Sequence, residues 1–294
     1  MRRFTERLIN HILKRFNHKL IRRDDKKCIT LDYPYFPKPR SWGNTTGIQR
    51  LKNHMDSSES DFADILLSFS GFIDKFEAIP VKCREDDENP GWLNGWLPGF
   101  DAVTIYGLLA TRNPSVYFEI GSGNSTKFAR RAIKDNGLKT KIISVDPKPR
   151  ADIDSICDQV IRSACEDVPL SVFESLQGDM IFFIDNSHRS FQNSDVTVFF
   201  SEILPSLPAG CIWGLHDIEL PYDYPSNIAD RYYNEQYLLL TYLLGGGGND
   251  TILLPNAFIS GHRRLSSIIK DSIFASNYFD EVEKHGCCFW MLRG

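Results

Sequence analysis

Residues 116–131 read VYFEIGSGNSTKFARR. Val116, Tyr117, Phe118 and Ile120 form a short β-branched and aromatic run, the composition of a strand buried on both faces. Glu119 interrupts that run with a carboxylate, which is costly inside a sheet unless something pairs with it. Gly121, Ser122 and Gly123 follow, then Asn124 and Ser125, either of which is a good helix N-cap. Phe128, Ala129, Ala132 and Ile133 recur at helical spacing until Asn136-Gly137 stops the helix. A buried strand, a glycine turn and a helix N-terminus, in that order, let a ligand approach bare backbone.

C-terminal to this stretch the pattern alternates. Strands are expected at 141–145, 159–161, 180–184 and 211–215, with helices at 168–176, 196–204 and 230–244. Residues 251–254 and 288–292 supply two last strands. Strands alternating with helices imply a parallel sheet with crossovers, an α/β fold. N-terminal to it, 101–110 reads as a helix, 89–99 as an aromatic-rich loop, and 61–76 as an amphipathic helix. Residues 28–58 are punctuated by prolines and read as irregular. The expected organisation is a helical and irregular N-terminal extension over 1–98, followed by one α/β domain over 99–294.

At 294 residues the chain has room for one large domain, or a medium one with an extension. The net charge of −4 gives no argument for nucleic acid. No apolar run approaches the length of a membrane span, and no signal-peptide core follows the N-terminal arginines. Seven cysteines without CxxC spacing point to free thiols in a reducing, cytoplasmic compartment. Residues 1–27 stand apart, with ten Lys/Arg against three Asp/Glu and an apolar helical face from Phe4 to Ile21. Such a helix either makes peripheral contact with an anionic membrane or packs on its own domain.

In an open parallel sheet, ligands bind outside the carboxyl ends of the strands. Polar residues gather at those ends here. Glu119 to Ser125 follow the first strand, Asp146 the second, and Ser163 to Asp167 the third. Asp185 to His188 follow the fourth, and His216-Asp217 the fifth. Asp146 lies 25 residues beyond Gly121, which suits an acid holding a ribose diol. That spacing serves NAD(H) and S-adenosylmethionine equally. The dinucleotide fingerprint G-x-G-x-x-G is not met, because Thr126 stands at its third glycine.

Glu119-x-Gly121-x-Gly123 before a helix, with Asp146 after the next strand, resembles class I S-adenosylmethionine-dependent methyltransferases. The fuller wording EIGSGNSTKFA…IISVDP…FFIDNSHRSF…HDIELPYDYP is similar to a bacterial subgroup of that class. The resemblance implies a Rossmann-like, seven-stranded and mostly parallel sheet of order 3-2-1-4-5-7-6. It implies S-adenosyl-L-methionine as cofactor and a small-molecule or sugar acceptor methylated on oxygen. Glu119, Gly121, Ser122, Gly123, Asn124 and Ser125 would line the amino-acid end of the cofactor. Asp146 would hold the ribose, and Glu166, Ala164 or Cys165 the adenine, with Tyr106 and Asp185 bordering the same cleft. Ser125 departs from the pattern, since many members carry a third glycine there.

Methyl transfer requires the acceptor to lose a proton while lying in line with the sulfonium methyl. His188 and His216 are the candidate bases, with Asp217 beside them. The chain also resembles catechol and macrocin O-methyltransferases in its acids after the fourth and fifth strands. That likeness implies a divalent ion on Asp185, His216 and Asp217. Imidazole is a poor ligand for Mg²⁺, so either the ion is softer, as Mn²⁺ or Zn²⁺ is, or there is none and His216 is a base. Tyr222, Tyr224, Arg231, Tyr232 and Tyr233 form either an aromatic lid over the acceptor or ordinary packing. Two other classes fit the residues: a nicotinamide-dependent oxidoreductase, and a non-catalytic protein that keeps the fold.

Overall fold

A strand as apolar as Val116–Ile120 needs both faces covered. In the computed structural model it is the third strand of a seven-stranded sheet, with helices against it. The structure describes residues 35–40, 42, 45–84, 87–177, 179–229 and 231–294, so the basic helix expected over 1–27 lies outside it. Pro39–Gly294 make one compact unit.

Helices α1 (Thr46–Ser57), α2 (Glu59–Phe69) and α3 (Gly99–Arg112) come first, then β1 (Val116–Ile120) and α4 (Asn124–Asn136). Strands β2 (Lys141–Val145), β3 (Gln159–Ile161), β4 (Met180–Ile184) and β5 (Ile212–Leu215) follow. Helix α5 (Glu235–Leu244) leads to β6 (Thr251–Pro255) and β7 (Phe289–Leu292). The sheet order is β3-β2-β1-β4-β5-β7-β6, the order that the resemblance implied. Strands β1 to β5 are parallel, and β7 runs antiparallel to both β5 and β6. The chain builds outward from β1 to β3, then returns to lay β4 on the other side of β1. Such a reversal opens a crevice at the carboxyl ends. Phe118 stacks on Phe182 across β1 and β4 at 4.9 Å, and Phe183 on Trp290 at 5.3 Å.

Four stretches differ from the sequence reading. Helix α1 forms where an irregular segment was expected; Ile48, Leu51 and Met55 are buried on one face of it. Its polar remainder, next to a proline-punctuated stretch, hides that short stripe. The helix expected over 61–76 is broken by a 3₁₀ turn at Ser70–Phe72, where Ser70-Gly71 weakens it. Pro169 shortens the helix expected over 168–176 to Leu170–Glu174. Helix α5 begins at Glu235 rather than 230. Asn234 is drawn off the helical path, its N–H donating to His188 O at 2.9 Å and its Oδ1 accepting from Ser190 N at 2.6 Å.

Among the described residues six cysteines are free thiols, and no helix is long and apolar enough to cross a membrane. One buried carboxylate ties the helical layer to the last strand. Asp101, in the first turn of α3, accepts from Asn256 Nδ2 at 2.7 Å, Cys287 N at 2.9 Å and Cys288 N at 2.8 Å. Asp101→Ala strands those donors away from water and should cost about 3–5 kcal/mol of stability. Urea unfolding at unchanged slope checks it; a loss below about 1 kcal/mol would contradict the role.

Candidate active site

The parallel ladder runs one residue beyond each strand. Gly121 N donates to Val145 O, Asp146 N to Ile161 O, Asp185 N to Ile120 O and His216 N to Ile184 O, at 2.9–3.2 Å. The first residue after each of four strands is thereby fixed beside its neighbour. At Gly121 the fit is tight: φ is +76°, and a Cβ would lie 1.8 Å from Asp185 O. Only glycine meets both conditions.

The strand ends open on two cavities. The first, about 350 Å³, is lined by Gly121, Ser122, Asp146, Glu166, Asp185, His188, His216 and Asp217 among others. The second, about 780 Å³, takes Ser122, Gly123, Asn124, Ser125 and Asp185. Trp96, Ser122, Lys148, Arg150 and Asp185 border both. Ala164 and Cys165 also reach the first cavity. Of the lid candidates, Arg231 and Tyr233 line it. Tyr224 is buried and donates its hydroxyl to Asp217 O at 2.9 Å.

Two expected residues line neither cavity. Tyr106 is buried, its ring 5.1 Å from that of Phe76 and its hydroxyl donating to Asp135 at 2.9 Å. It sits against the far end of α4, away from the glycine turn. Glu119 is buried beneath that turn, where Tyr117 Oη donates to it at 2.9 Å and the Thr126 hydroxyl also donates. Thr126 Oγ1 accepts in turn from Gly123 N at 3.0 Å, so the buried acid braces the turn from below.

Asp146 accepts from Ser122 N at 2.8 Å and Lys148 N at 2.7 Å, one bond to each oxygen. Lone pairs remain on both oxygens toward the cavity, as a diol requires.

The second half of the site surrounds two imidazoles. His188 Nε2 lies 3.3 Å from Asp185 Oδ1 and 3.4 Å from Asp217 Oδ2. His216 Nδ1 lies 3.6 Å from Asp185 Oδ1 and 3.5 Å from Asp217 Oδ1. The opposite ring nitrogens face two further buried acids. His188 Nδ1 is 3.0 Å from Glu235 Oε2, and His216 Nε2 is 3.5 Å from Asp101 Oδ2. His188 and Asp217 both adopt left-handed backbone, φ +58° and +54°, an uncommon conformation that marks functional turns. Asn186 holds the first turn, its Oδ1 accepting from His188 N at 2.8 Å while its Nδ2 donates to Glu235 Oε1 at 2.9 Å.

Burial alone would lower the His188 pKa, but hydrogen bonds to Asp185 and Glu235 push it up to about 10. Burial opposes His216 too, yet the surrounding Cys287, Asp217 and Asp185 carry it well above its ordinary value. In both cases the neighbouring acids favour the protonated imidazole against the effect of burial. Sequence reasoning gave Glu235 and Asp101 no part in the site. An acid at the first turn of an apolar helix was the available signal for each.

Residues 118–218 match the family model described as a methyltransferase domain. That stretch runs from β1 to just past β5 of the sheet ordered β3-β2-β1-β4-β5-β7-β6. No match was found among the curated proteins. Among solved structures, an O-methyltransferase from Bacillus cereus bound to S-adenosylhomocysteine is 12% identical, covering 84% of this chain and 100% of that one, with a TM-score of 0.39. The O-methyltransferase TomG from Streptomyces achromogenes is 11% identical over 67% of this chain and 82% of that one, TM-score 0.37. The plantazolicin methyltransferase BpumL gives 12%, 86%, 93% and 0.43 in the same order. The fold is given by the sheet order and does not rest on these distant likenesses.

Glu119 offers a test of the floor beneath the glycine turn. Burial raises its pKa to about 7 against the hydrogen bonds from Ser125, Thr126 and Tyr117. A carboxyl whose pKa is raised on folding favours the fold below its unfolded value, and that contribution is lost as pH rises through the folded one. Glu119→Gln should therefore gain relative stability by about 3 kcal/mol between about pH 4.5 and pH 8. Denaturant midpoints at both pH values decide; a pH-independent difference would contradict it.

Proposed function

We propose that this chain is an S-adenosylmethionine-dependent methyltransferase acting on an oxygen of a small-molecule or sugar acceptor. The observation that carries the reading is the first cavity, which the glycine turn, Asp146, His188 and His216 all line. S-adenosylmethionine supplies the electrophilic methyl group. Gly121 allows its approach to backbone, Asp146 takes the ribose diol, and Glu166 with Ala164 and Cys165 borders the adenine. Asp185 stands between the cofactor half and the acceptor half of the cavity.

Arg231 and Tyr233 form the acceptor wall, the Tyr233 ring 4.6 Å from that of His188 and 5.8 Å from the Arg231 guanidinium. The neighbouring acids favour the protonated form of both imidazoles, so a carboxylate at the cavity is the better acceptor for the proton of the acceptor hydroxyl. Asp217, about a quarter exposed, presents one at the cavity. The reading of a divalent ion on Asp185, His216 and Asp217 is supported by His216 Nδ1, which is buried without a hydrogen-bond partner and lies 3.6 Å from Asp185 Oδ1 and 3.5 Å from Asp217 Oδ1. An ion held there would lower the pKa of the acceptor hydroxyl and orient it.

Calorimetric titration with S-adenosylhomocysteine and with NAD(H) tests the cofactor. The homocysteine compound should bind, and Asp146→Ala should weaken it by about 10–100-fold; binding of NAD(H) alone would contradict the reading. Once an acceptor is found, Asp217→Asn should lower kcat by about 10²–10⁴-fold with S-adenosylhomocysteine affinity unchanged. A kcat near that of the parent would remove Asp217 as the proton acceptor.

A further inference from the structure

We propose that the second cavity, between residues 93–97 and the amino end of α4, holds the phosphate group of an acidic acceptor. The proposal rests on the methyltransferase reading above and names the chemical class of its acceptor, a phosphate or diphosphate ester.

The two cavities differ in charge. Histidines aside, five acids and three Lys/Arg line the first. Arg84, Lys127, Lys148 and Arg150 line the second, with Asp185 as its one acid among the described residues. A cationic cofactor does not call for such a lining. Its sulfonium belongs with the acids of the first cavity, and its amino-acid end brings one carboxylate and one ammonium, which cancel. At about 780 Å³ against about 350 Å³, the second cavity is also the larger. A cleft lined by one sign of charge concentrates ligands of the other.

The mouth is built around Arg150. Its guanidinium lies 4.2 Å from the centre of the Trp96 ring. Stacking holds the plane of the fork and leaves its N–H edge for an anion, and a phosphate takes two parallel bonds from such an edge. The loop beneath Trp96 is fixed as well. Asn94 Oδ1 accepts from Trp96 N at 3.0 Å and from Leu97 N at 2.7 Å, and Leu97 is buried. Trp96 itself is 60% exposed, a flat apolar surface at the opening. Among the described residues neither Lys148 nor Arg150 has an ion-pair partner. The first turn of α4 opens on the same cavity at Asn124 and Ser125, and the amino end of a helix favours negative charge.

Charge decides the class of anion. A carboxylate brings one negative charge, whereas a phosphate monoester brings about two near neutrality. Four Lys/Arg in one lining suit the phosphate. Position ties it to the acceptor. Trp96, Lys148, Arg150 and Asp185 border both cavities. A molecule with its hydroxyl at Asp217 in the first cavity passes Asp185 and sets its phosphate in the second.

The test is calorimetry on the full chain, freed of metal by chelation so that no ion holds the probes, in excess S-adenosylhomocysteine. Inorganic pyrophosphate and glucose 1-phosphate should each bind at one equivalent, about 10-fold or more tighter than glucuronate. Lys148→Gln combined with Arg150→Gln should weaken both phosphates by about 10–100-fold, with S-adenosylhomocysteine affinity unchanged. Both side chains are exposed, and circular dichroism confirms folding. Lys139→Gln, beyond the other end of α4, should change neither affinity. No binding of either phosphate, glucuronate binding as tight, or parent-like affinity in the double variant would overturn the proposal. So would a parallel loss of S-adenosylhomocysteine affinity, or its displacement by pyrophosphate, since the cations would then serve the cofactor's carboxylate. S-adenosylhomocysteine binding without phosphate binding sinks only the anion site, and phosphate binding without S-adenosylhomocysteine binding sinks only the methyltransferase reading.

Discussion

Everything at the site depends on how closely the ends of β1 and β4 approach. A Cβ at residue 121 would fall 1.8 Å from Asp185 O, so the two strands come together only through a glycine. That contact holds Asp185 between the glycine turn on one side and the two imidazoles on the other. The ladder then carries the same registration outward, to Asp146 through Val145 and to His216 through Ile184. A sheet reversal opens the crevice, and the residues that end each strand decide what it can hold.

Charge is the second constraint. Asp101, Glu119 and Glu235 are fully buried, and each is satisfied by named donors rather than by water. Their work is structural: Asp101 joins α3 to β7, Glu119 supports the glycine turn, and Glu235 locks the turn after β4 to α5. Asp185 and Asp217 differ in being partly exposed to the cavity. This division separates acids that hold the site in place from acids that can meet a ligand, and it explains why two histidines can lie buried among so many carboxylates.

Much of this was legible in the sequence. The strands announced themselves because parallel strands covered on both faces are short unbroken apolar runs, as in Met180–Ile184. The strand-end residues were legible for the same reason, since each polar residue stands where such a run stops. Helix α1 was hidden because its buried stripe is only Ile48, Leu51 and Met55 in polar company. Tyr106 was misplaced because helical spacing gives a face but not the height at which it meets a neighbour. Glu119 reads as a ligand contact in one dimension, while in three it lies under the backbone that the ligand would touch. Glu235 could not be paired with His188 from sequence, because that contact spans 47 positions and depends on Asn234 leaving the helical path.

The central claim is that one strand-end crevice holds cofactor and acceptor together. A crystal structure with S-adenosylhomocysteine bound tests it most directly. The account predicts the ribose hydroxyls on Asp146, the ligand passing over Gly121, and its sulfur facing the Asp185–His188–His216–Asp217 cluster. A ligand lying elsewhere, or one with its sulfur turned away from that cluster, would contradict it.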